Sequence, residues 1–192
     1  MPDMDGELYS RFLALNDQNA LEFLFDKYRD GLILFIYGFV QNADDAEELM
    51  MDTFAVLASG TSRYKEKTDA SFKTWLYAIA KKQSLLYLRK RKITFVPTEV
   101  DFLNNVEADS SFQPVTMLLK SEREKLLYRA MKAIDANYRQ VLFLQCFEDM
   151  KPEQICQIIK KNIRQTYNLL ARGKEALRVA YEKMGCSWDT IG

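Results

Sequence analysis

The spacing of the apolar side chains is the feature that most constrains the fold of this chain. In LEFLFDKYRDGLILFIYGFV, residues 21–40, large apolar residues recur at three- and four-residue intervals. That period is typical of an α-helix, and its apolar density predicts a mostly buried helix with Asn19 as the N-cap. Two more amphipathic helices are predicted from NADDAEELMMDTFAVLA and SFKTWLYAIAKKQSLLYLRKRK. The sequence therefore predicts an all-α fold.

The C-terminal part of the chain contains a second group of predicted helices. Residues 117–134 predict one helix, and ANYRQVLFLQCFED predicts another. In KPEQICQIIKKNIRQTYNLLARGKEALRVAYEK, a short helix starts at Pro152 and a longer basic helix is capped by Asn162. A short helix, a tight turn and a longer helix make a helix-turn-helix. Such a turn often carries glycine, so a positive φ at Lys160 or Lys161 would cost about 1 kcal/mol.

A segment without helical periodicity lies between the two groups. It is ITFVPTEVDFLNNVEADSSFQPVT, residues 93–116, with two prolines, four acidic residues and no basic residue. We interpret it as an interdomain linker, which divides the chain into residues 1–92, 93–116 and 117–192. The expected architecture is two small helical domains joined by a linker, the C-terminal one a helix-turn-helix.

Composition argues against an enzyme and against a metal site. The chain has no histidine, which removes the usual general base and the commonest metal ligand. Its three cysteines follow no metal-ligand spacing, and its glycines form no phosphate-binding loop. No apolar run is long enough to span a membrane, and the acidic start lacks the basic flank of a signal peptide. We therefore expect a cytoplasmic protein with no cofactor and no catalytic residue.

The net charge of zero conceals a strong separation of charge along the chain. Residues 1–60 carry twelve acidic against three basic residues, whereas residues 61–95 carry two acidic against ten basic. A second group of basic residues lies within the helix-turn-helix. One acidic and two basic surfaces indicate several partners, and basic clusters of this kind suit nucleic acid.

Candidate DNA contacts lie on the longer helix of the helix-turn-helix. In this arrangement the second helix enters the major groove, where Arg, Gln and Asn side chains bind base edges or phosphates. The residues that lie off its apolar stripe are Arg164, Gln165, Tyr167, Asn168 and Arg172. The competing interpretation is a three-helix packing that never contacts DNA, in which basic residues complement the helix dipole.

An acidic helix, a tryptophan-bearing basic helix, a linker and a C-terminal helix-turn-helix, in this order, resemble the extracytoplasmic-function (ECF) sigma factors of bacterial RNA polymerase. The resemblance covers nearly the whole chain. NADDAEELMMDTFAVL is similar to the family's helix that binds the clamp coiled coil of the largest polymerase subunit. SFKTWLYAIAKKQSLLYLRKRK is similar to the segment that melts and reads the minus-ten element. DANYRQVLFLQCFEDMKPEQICQIIKKNIRQTYNLLARGKEALR is similar to the domain that reads the minus-thirty-five element.

The resemblance implies roles for residues of the N-terminal domain. Docking on polymerase would use acidic charge and apolar anchors, at Asp45, Glu48, Leu49, Asp52 and Phe54. Promoter opening would use basic and aromatic side chains that hold a single strand. The candidates are Arg63, Tyr64, Lys65, Lys73, Trp75, Lys81 and Lys82. Two plainer interpretations stay open, because Trp75 has the helical spacing of a core residue and acidic residues at a helix start complement its dipole.

Several partners follow from the resemblance. They are core RNA polymerase, promoter DNA and an anti-sigma factor, which in the family is often held in the inner membrane. The acidic linker would thread through polymerase channels, although an ordinary soluble tether explains its composition equally well. Two other classes remain open. A free-standing helix-turn-helix regulator predicts a stable dimer, and a protein-binding adaptor predicts that Arg164, Gln165 and Arg172 can be replaced without loss.

Overall fold

The computed structural model describes residues 3–65, 70–94 and 115–186. Every regular element in these ranges is a helix, which confirms the predicted all-α class. The helices described are α1 (Met4–Leu15), α2 (Gln18–Val40), α3 (Ala43–Ala58), α4 (Phe72–Thr94), α5 (Glu122–Lys132), α6 (Ala136–Cys146), α7 (Pro152–Ile159) and α8 (Ile163–Lys183). We call α1 to α4 the N-terminal unit and residues 115–186 the C-terminal unit.

Polar caps define the starts of α2 and α3. The Ala20 N–H donates to the Asp17 carboxylate at 3.3 Å, so Asp17 is the N-cap of α2. The predicted cap at Asn19 is wrong because the helix has already begun one residue before it. The Asp45 N–H donates to the Asn42 side-chain oxygen at 2.9 Å and starts α3.

The first helix, α1, was not among the predicted elements. Tyr9 and Phe12 lie on one of its faces and are buried. The Tyr9 hydroxyl lies 3.2 Å from the Leu57 carbonyl oxygen and 3.1 Å from that of Ser62. These two acceptors hold α1 against the end of α3.

The predicted linker, residues 93–116, lies mostly outside the described ranges. The last N-terminal helix, α4, continues to Thr94, and residues 95–114 lie outside the described ranges. The helix predicted over residues 117–134 is shorter, because Ser121 caps α5 and Glu124 completes a capping box. Val115 and Leu119, upstream of that cap, are buried in the core.

The helix-turn-helix geometry follows the sequence closely. Pro152 is the first residue of α7, and Lys160 ends that helix with a left-handed φ of 55°. The Gln165 N–H donates to the Asn162 side-chain oxygen at 2.8 Å, which confirms Asn162 as the N-cap of α8. Behind the turn, Gly173 allows α8 to approach α6, since a Cβ there would lie 3.2 Å from a Leu142 methyl carbon.

The two units pack tightly against each other in this structure. Helix α6 packs on α2, and α7 packs on α4. The Phe35 and Phe143 ring centroids are 5.7 Å apart, and the Tyr128 hydroxyl donates to the Leu34 carbonyl at 2.5 Å. As a result α2 is buried on all sides around its middle, and one continuous core spans both units.

Candidate nucleic-acid and protein interfaces

The five candidate residues on α8 come together on one exposed side of that helix. The side chains of Arg164, Gln165, Tyr167, Asn168 and Arg172 are all exposed. The opposite side buries Thr166, Leu170 and Leu177 against the C-terminal unit. This amphipathic arrangement leaves a polar and basic face of the kind that a recognition helix presents to a DNA groove.

Gln165 is partly committed to the start of α8. Its side-chain oxygen accepts the Asn162 N–H at 3.1 Å, which completes a capping box. Its amide NH₂ remains on the exposed face as a donor. The residue therefore combines a structural role with a donor for a base edge or a phosphate.

The basic residues before and on α4 divide into two groups. Arg63, Lys65 and Lys82 are exposed. Lys73 is not, because its ammonium lies 2.8 Å from a carboxylate oxygen of Glu148 in the C-terminal unit and donates to the Glu148 carbonyl at 2.7 Å. The packing of the two units thus occupies one of the predicted DNA contacts.

The two aromatic candidates pack against their neighbours in this structure. The Trp75 ring lies 5.3 Å from Tyr9 and 5.6 Å from Phe72, measured between centroids. The Tyr64 hydroxyl donates to the Asp3 carboxylate at 2.8 Å and lies 3.0 Å from the Ala70 carbonyl. These contacts favour core packing for Trp75, and stacking on DNA would require the cluster to open.

Lys81 lies where the two basic clusters meet. Burial, and then the neighbouring Lys160 and Lys161, lower the pKa of Lys81 to about 8 from its ordinary value of 10.5. Lys81 projects from α4, whereas Lys160 ends α7. The predicted minus-ten and minus-thirty-five surfaces therefore approach each other at this point.

The shifted Lys81 predicts a specific pH dependence of stability. Between about pH 8 and 10.5 the unfolded chain keeps a proton that folded Lys81 has lost, so folding becomes more favourable as the pH rises through this window. Lys81→Met should remove this increase in stability with pH. It should also stabilise the fold at pH 7 by about 1 kcal/mol, a small value because solvent screens a half-buried ammonium group. Urea unfolding at pH 7 and pH 10 measures both effects. Lys82→Met is the matched control, and an equal response in the two variants would contradict the assignment.

The outer face of α3 is acidic, as predicted, but its predicted apolar anchors are buried. Glu48 and Asp52 are exposed, and Asp45 pairs with Arg91 at 3.2 Å. Leu49 and Phe54 are 5% and 6% exposed, so in this conformation they offer little surface to a partner, and their role as apolar anchors stays a prediction. They point inward because they form the apolar stripe of α3, and the Phe54 ring packs edge-on to Phe25 at 5.0 Å. The apolar side chain that this face does expose is Met51, at 54%.

The described part of the chain contains no helix that is long and apolar enough to cross a membrane. Within the same residues, no group of three or more Cys, Asp and Glu side chains is arranged to hold a metal ion.

Comparison with known proteins shows which proteins this chain resembles. A family model for sigma-70 region 2 matches residues 24–93, which extend from α2 through most of α4. The chain is 21% identical over 164 residues to the RNA polymerase sigma factor YlaC of Bacillus subtilis, covering 85% of this chain and 93% of that protein. It is 23% identical over 169 residues to the ECF RNA polymerase sigma factor SigW of the same organism, covering 84% and 89%.

A solved structure shares the fold. It is the sigma factor RpoE from Bartonella quintana in complex with the anti-sigma factor NepR, which matches at a TM-score of 0.63 and 18% identity over 84% of this chain and 96% of that chain. Residues 24–93 thus match sigma-70 region 2, and most of the chain is similar to RNA polymerase sigma factors, including one of the extracytoplasmic-function type. Sigma factors are transcription initiation factors and not enzymes, in agreement with the expectation from composition.

Proposed function

We propose that this chain binds core RNA polymerase in the cytoplasm and directs transcription initiation at promoters with two recognition elements. In this proposal residues 1–92 dock on polymerase and read the minus-ten element, and residues 117–192 read the minus-thirty-five element. The observation that carries the proposal is the exposed polar face of α8, which stands at the end of a well-formed helix-turn-helix. A second, separate basic surface precedes and lines α4.

The chemistry of the α8 face supports base reading. Arginine can bind guanine through two hydrogen bonds, and asparagine can bind adenine in the same way. Four-residue intervals separate Arg164, Asn168 and Arg172, so their side chains lie on the same side of the helix. Lys160 and Lys161, exposed at the turn, are placed to bind phosphates and to fix the orientation of the helix.

The N-terminal unit supplies a second DNA surface in this proposal. Arg63, Lys65 and Lys82 are exposed and available to phosphates of a separated strand. Lys73 and Lys81 would join them when the C-terminal unit moves away. Two moderate contacts on one chain reinforce each other through effective concentration, and polymerase would hold them at the correct separation.

The acidic face of α3 is the proposed polymerase contact. Reversing its charge with Glu48→Lys and Asp52→Lys should weaken core binding by about tenfold, because like charges would then oppose each other at the interface. Both side chains are exposed, so the fold should be retained. Glu22→Lys with Asp26→Lys is the matched control, since it makes the same change at the same spacing on exposed positions of α2. Titration of labelled chain with core polymerase measures the affinity, and equal weakening by both pairs would indicate a nonspecific effect of charge.

An anti-sigma factor is the third proposed partner. The sigma factor RpoE was solved in complex with the anti-sigma factor NepR, and the shared fold supports a similar form of control here. The helices of both units offer surface to such a protein. Whether the partner is attached to a membrane depends on that protein and not on this chain.

Run-off transcription with purified bacterial core polymerase on a promoter library tests the proposal. Initiation at a defined two-element sequence, only when this chain is present, is the expected result. A chain that neither binds core polymerase nor starts transcription would favour a free-standing helix-turn-helix regulator. That regulator would in addition form a stable dimer on DNA.

A further inference from the structure

Glu148 lies at the boundary between the two units and pairs with Lys73 of α4. Lys73 Nζ is 2.8 Å from Glu148 Oε2 and donates to the Glu148 carbonyl oxygen at 2.7 Å. The Glu148 side chain is 11% exposed and that of Lys73 is 29% exposed. This ion pair is therefore shielded far more than those on the open surface, and screening by solvent weakens it less.

The backbone of α2 provides the space in which the Glu148 carboxylate rests. A Cβ added to Gly31 would lie 2.5 Å from Glu148 Oε1 and 2.6 Å from the Tyr77 hydroxyl oxygen. Both distances are too short for a real Cβ, so a side chain at position 31 would displace the Glu148 carboxylate or the Tyr77 hydroxyl. Burial, and then the Glu148 carboxylate, raise the pKa of Tyr77 well above its ordinary value, which keeps the hydroxyl protonated beside that carboxylate.

The loop that presents Glu148 has a defined conformation. Asp149 adopts a left-handed φ of 51°, which an aspartate tolerates better than most residues. The Met150 N–H donates to the Leu144 carbonyl at 3.0 Å, and the Met150 side chain is buried. Glu148 is thus directed toward α4 by a fixed turn between α6 and α7.

We propose that Glu148 is a latch that holds the C-terminal unit over the DNA-binding side of α4 by occupying Lys73. This inference rests on the proposed function, because it takes Lys73 as a contact to the minus-ten strand. A carboxylate and a DNA phosphate compete for the same ammonium group. Lys73 binds either Glu148 or DNA, so the latched chain and the chain with DNA along α4 exclude each other.

Repulsion at the same interface opposes the packed arrangement. Lys81 of α4 is brought near Lys160 and Lys161 when the units are packed. Three ammonium groups in proximity oppose closure, whereas the Lys73 to Glu148 pair favours it. Loss of one favourable ion pair should therefore shift the population toward the open chain.

Two variants of the full-length chain test the latch by different means. Glu148→Gln removes the charge that holds Lys73. Gly31→Ala leaves both charges but displaces the carboxylate, and alanine supports the helix better than glycine does. Glu122→Gln is the matched control, because it removes an exposed carboxylate of the C-terminal unit that pairs with Lys125 in the same helix. Small-angle X-ray scattering gives the radius of gyration, and fluorescence anisotropy gives the affinity for fluorescein-labelled oligothymidylate.

Both test variants are expected to have a larger radius of gyration and to bind the oligonucleotide about tenfold more tightly, since apparent affinity scales with the open fraction. The control should match the wild type in both measurements. Unchanged scattering and unchanged binding in the two test variants would overturn the latch. Expansion without tighter binding would also overturn it, because Lys73 would then not limit access to DNA.

Run-off transcription by the wild-type chain, measured in parallel, keeps the latch separate from the proposed function. Promoter-specific initiation together with unchanged scattering in the variants would retain the function and overturn the latch. Absence of initiation by the wild-type chain would overturn the function. In that case an expanded radius of gyration in the variants would still report that the ion pair holds the two units together, but no longer that it controls access to a promoter.

Discussion

Replacing Arg139 with methionine is expected to lower the free energy of unfolding by about 3 to 5 kcal/mol, the largest loss of stability that we foresee for a single substitution. The guanidinium donates to three carbonyls around the end of α5: Met131 at 2.9 Å, Lys132 at 3.0 Å and Ile134 at 3.0 Å. It also donates to the Gly38 carbonyl of α2 at 2.8 Å. Methionine keeps much of the side-chain volume but removes all four of these hydrogen bonds.

The measurement is urea unfolding of the Arg139→Met chain beside Arg129→Met. Arg129 is an exposed residue of α5, so its loss should change stability by less than about 0.5 kcal/mol. Arg139→Lys refines the test, because an ammonium keeps the charge but lacks the fork that reaches several carbonyls at once. Stability equal to that of the Arg129 variant would mean that water or a shifted side chain satisfies these carbonyls.

Helices that bury one continuous stripe were predictable from the sequence. The apolar period and the chemistry of the caps were enough to predict the middle of α2, the buried face of α3 and the turn before α8. Asn162, for example, lies where the capping rules place it. α1 was missed because it contributes few buried side chains. Its main anchor, the Tyr9 hydroxyl, meets a carbonyl 48 residues further along the chain. No local pattern reports such a contact.

The sequence of α2 contains a signal from which the packing of another element on this helix could have been predicted. Gly31 and Gly38 interrupt an otherwise strongly apolar helix, and an isolated glycine in a helical pattern indicates a close approach. Both face the C-terminal unit: Gly31 faces Glu148, and a Cβ on Gly38 would lie 3.6 Å from Arg139 Cδ. The glycines do not identify the residue that each of them faces. For Gly38 this residue is Arg139, more than 100 positions further along the chain.

The candidate sites were predictable to the extent that they depend on one helix. The α8 face follows from its own amphipathic period, so all five predicted residues are exposed together. The acidic charge of the α3 face was predicted from its period, whereas the exposed position of Met51 was not; Leu49 and Phe54 belong to the buried stripe. The state of Lys73 could not be predicted at all, since Glu148 reaches it from the other unit.

The second large effect concerns promoter recognition by α8. Replacing Arg164 and Arg172 together with alanine is expected to lower promoter-specific transcription about 100-fold. Each arginine that binds a base edge through two hydrogen bonds is worth about 1 to 3 kcal/mol of discrimination. Both side chains are exposed and lie away from the buried stripe, so the fold should keep its stability. Run-off transcription on the selected promoter measures the loss, and urea unfolding verifies the fold.

Arg178→Ala is the control on the same helix. Arg178 is paired with Glu175 at 2.5 Å and with Glu182 at 2.7 Å, so its charge is already neutralised by the chain itself. It should leave transcription nearly unchanged. If the Arg164 and Arg172 variant loses activity equally on every promoter of a mutated library, the two arginines bind phosphates. If the loss disappears when particular bases of the minus-thirty-five element are changed, they read those bases. Full activity would exclude both arginines from promoter recognition.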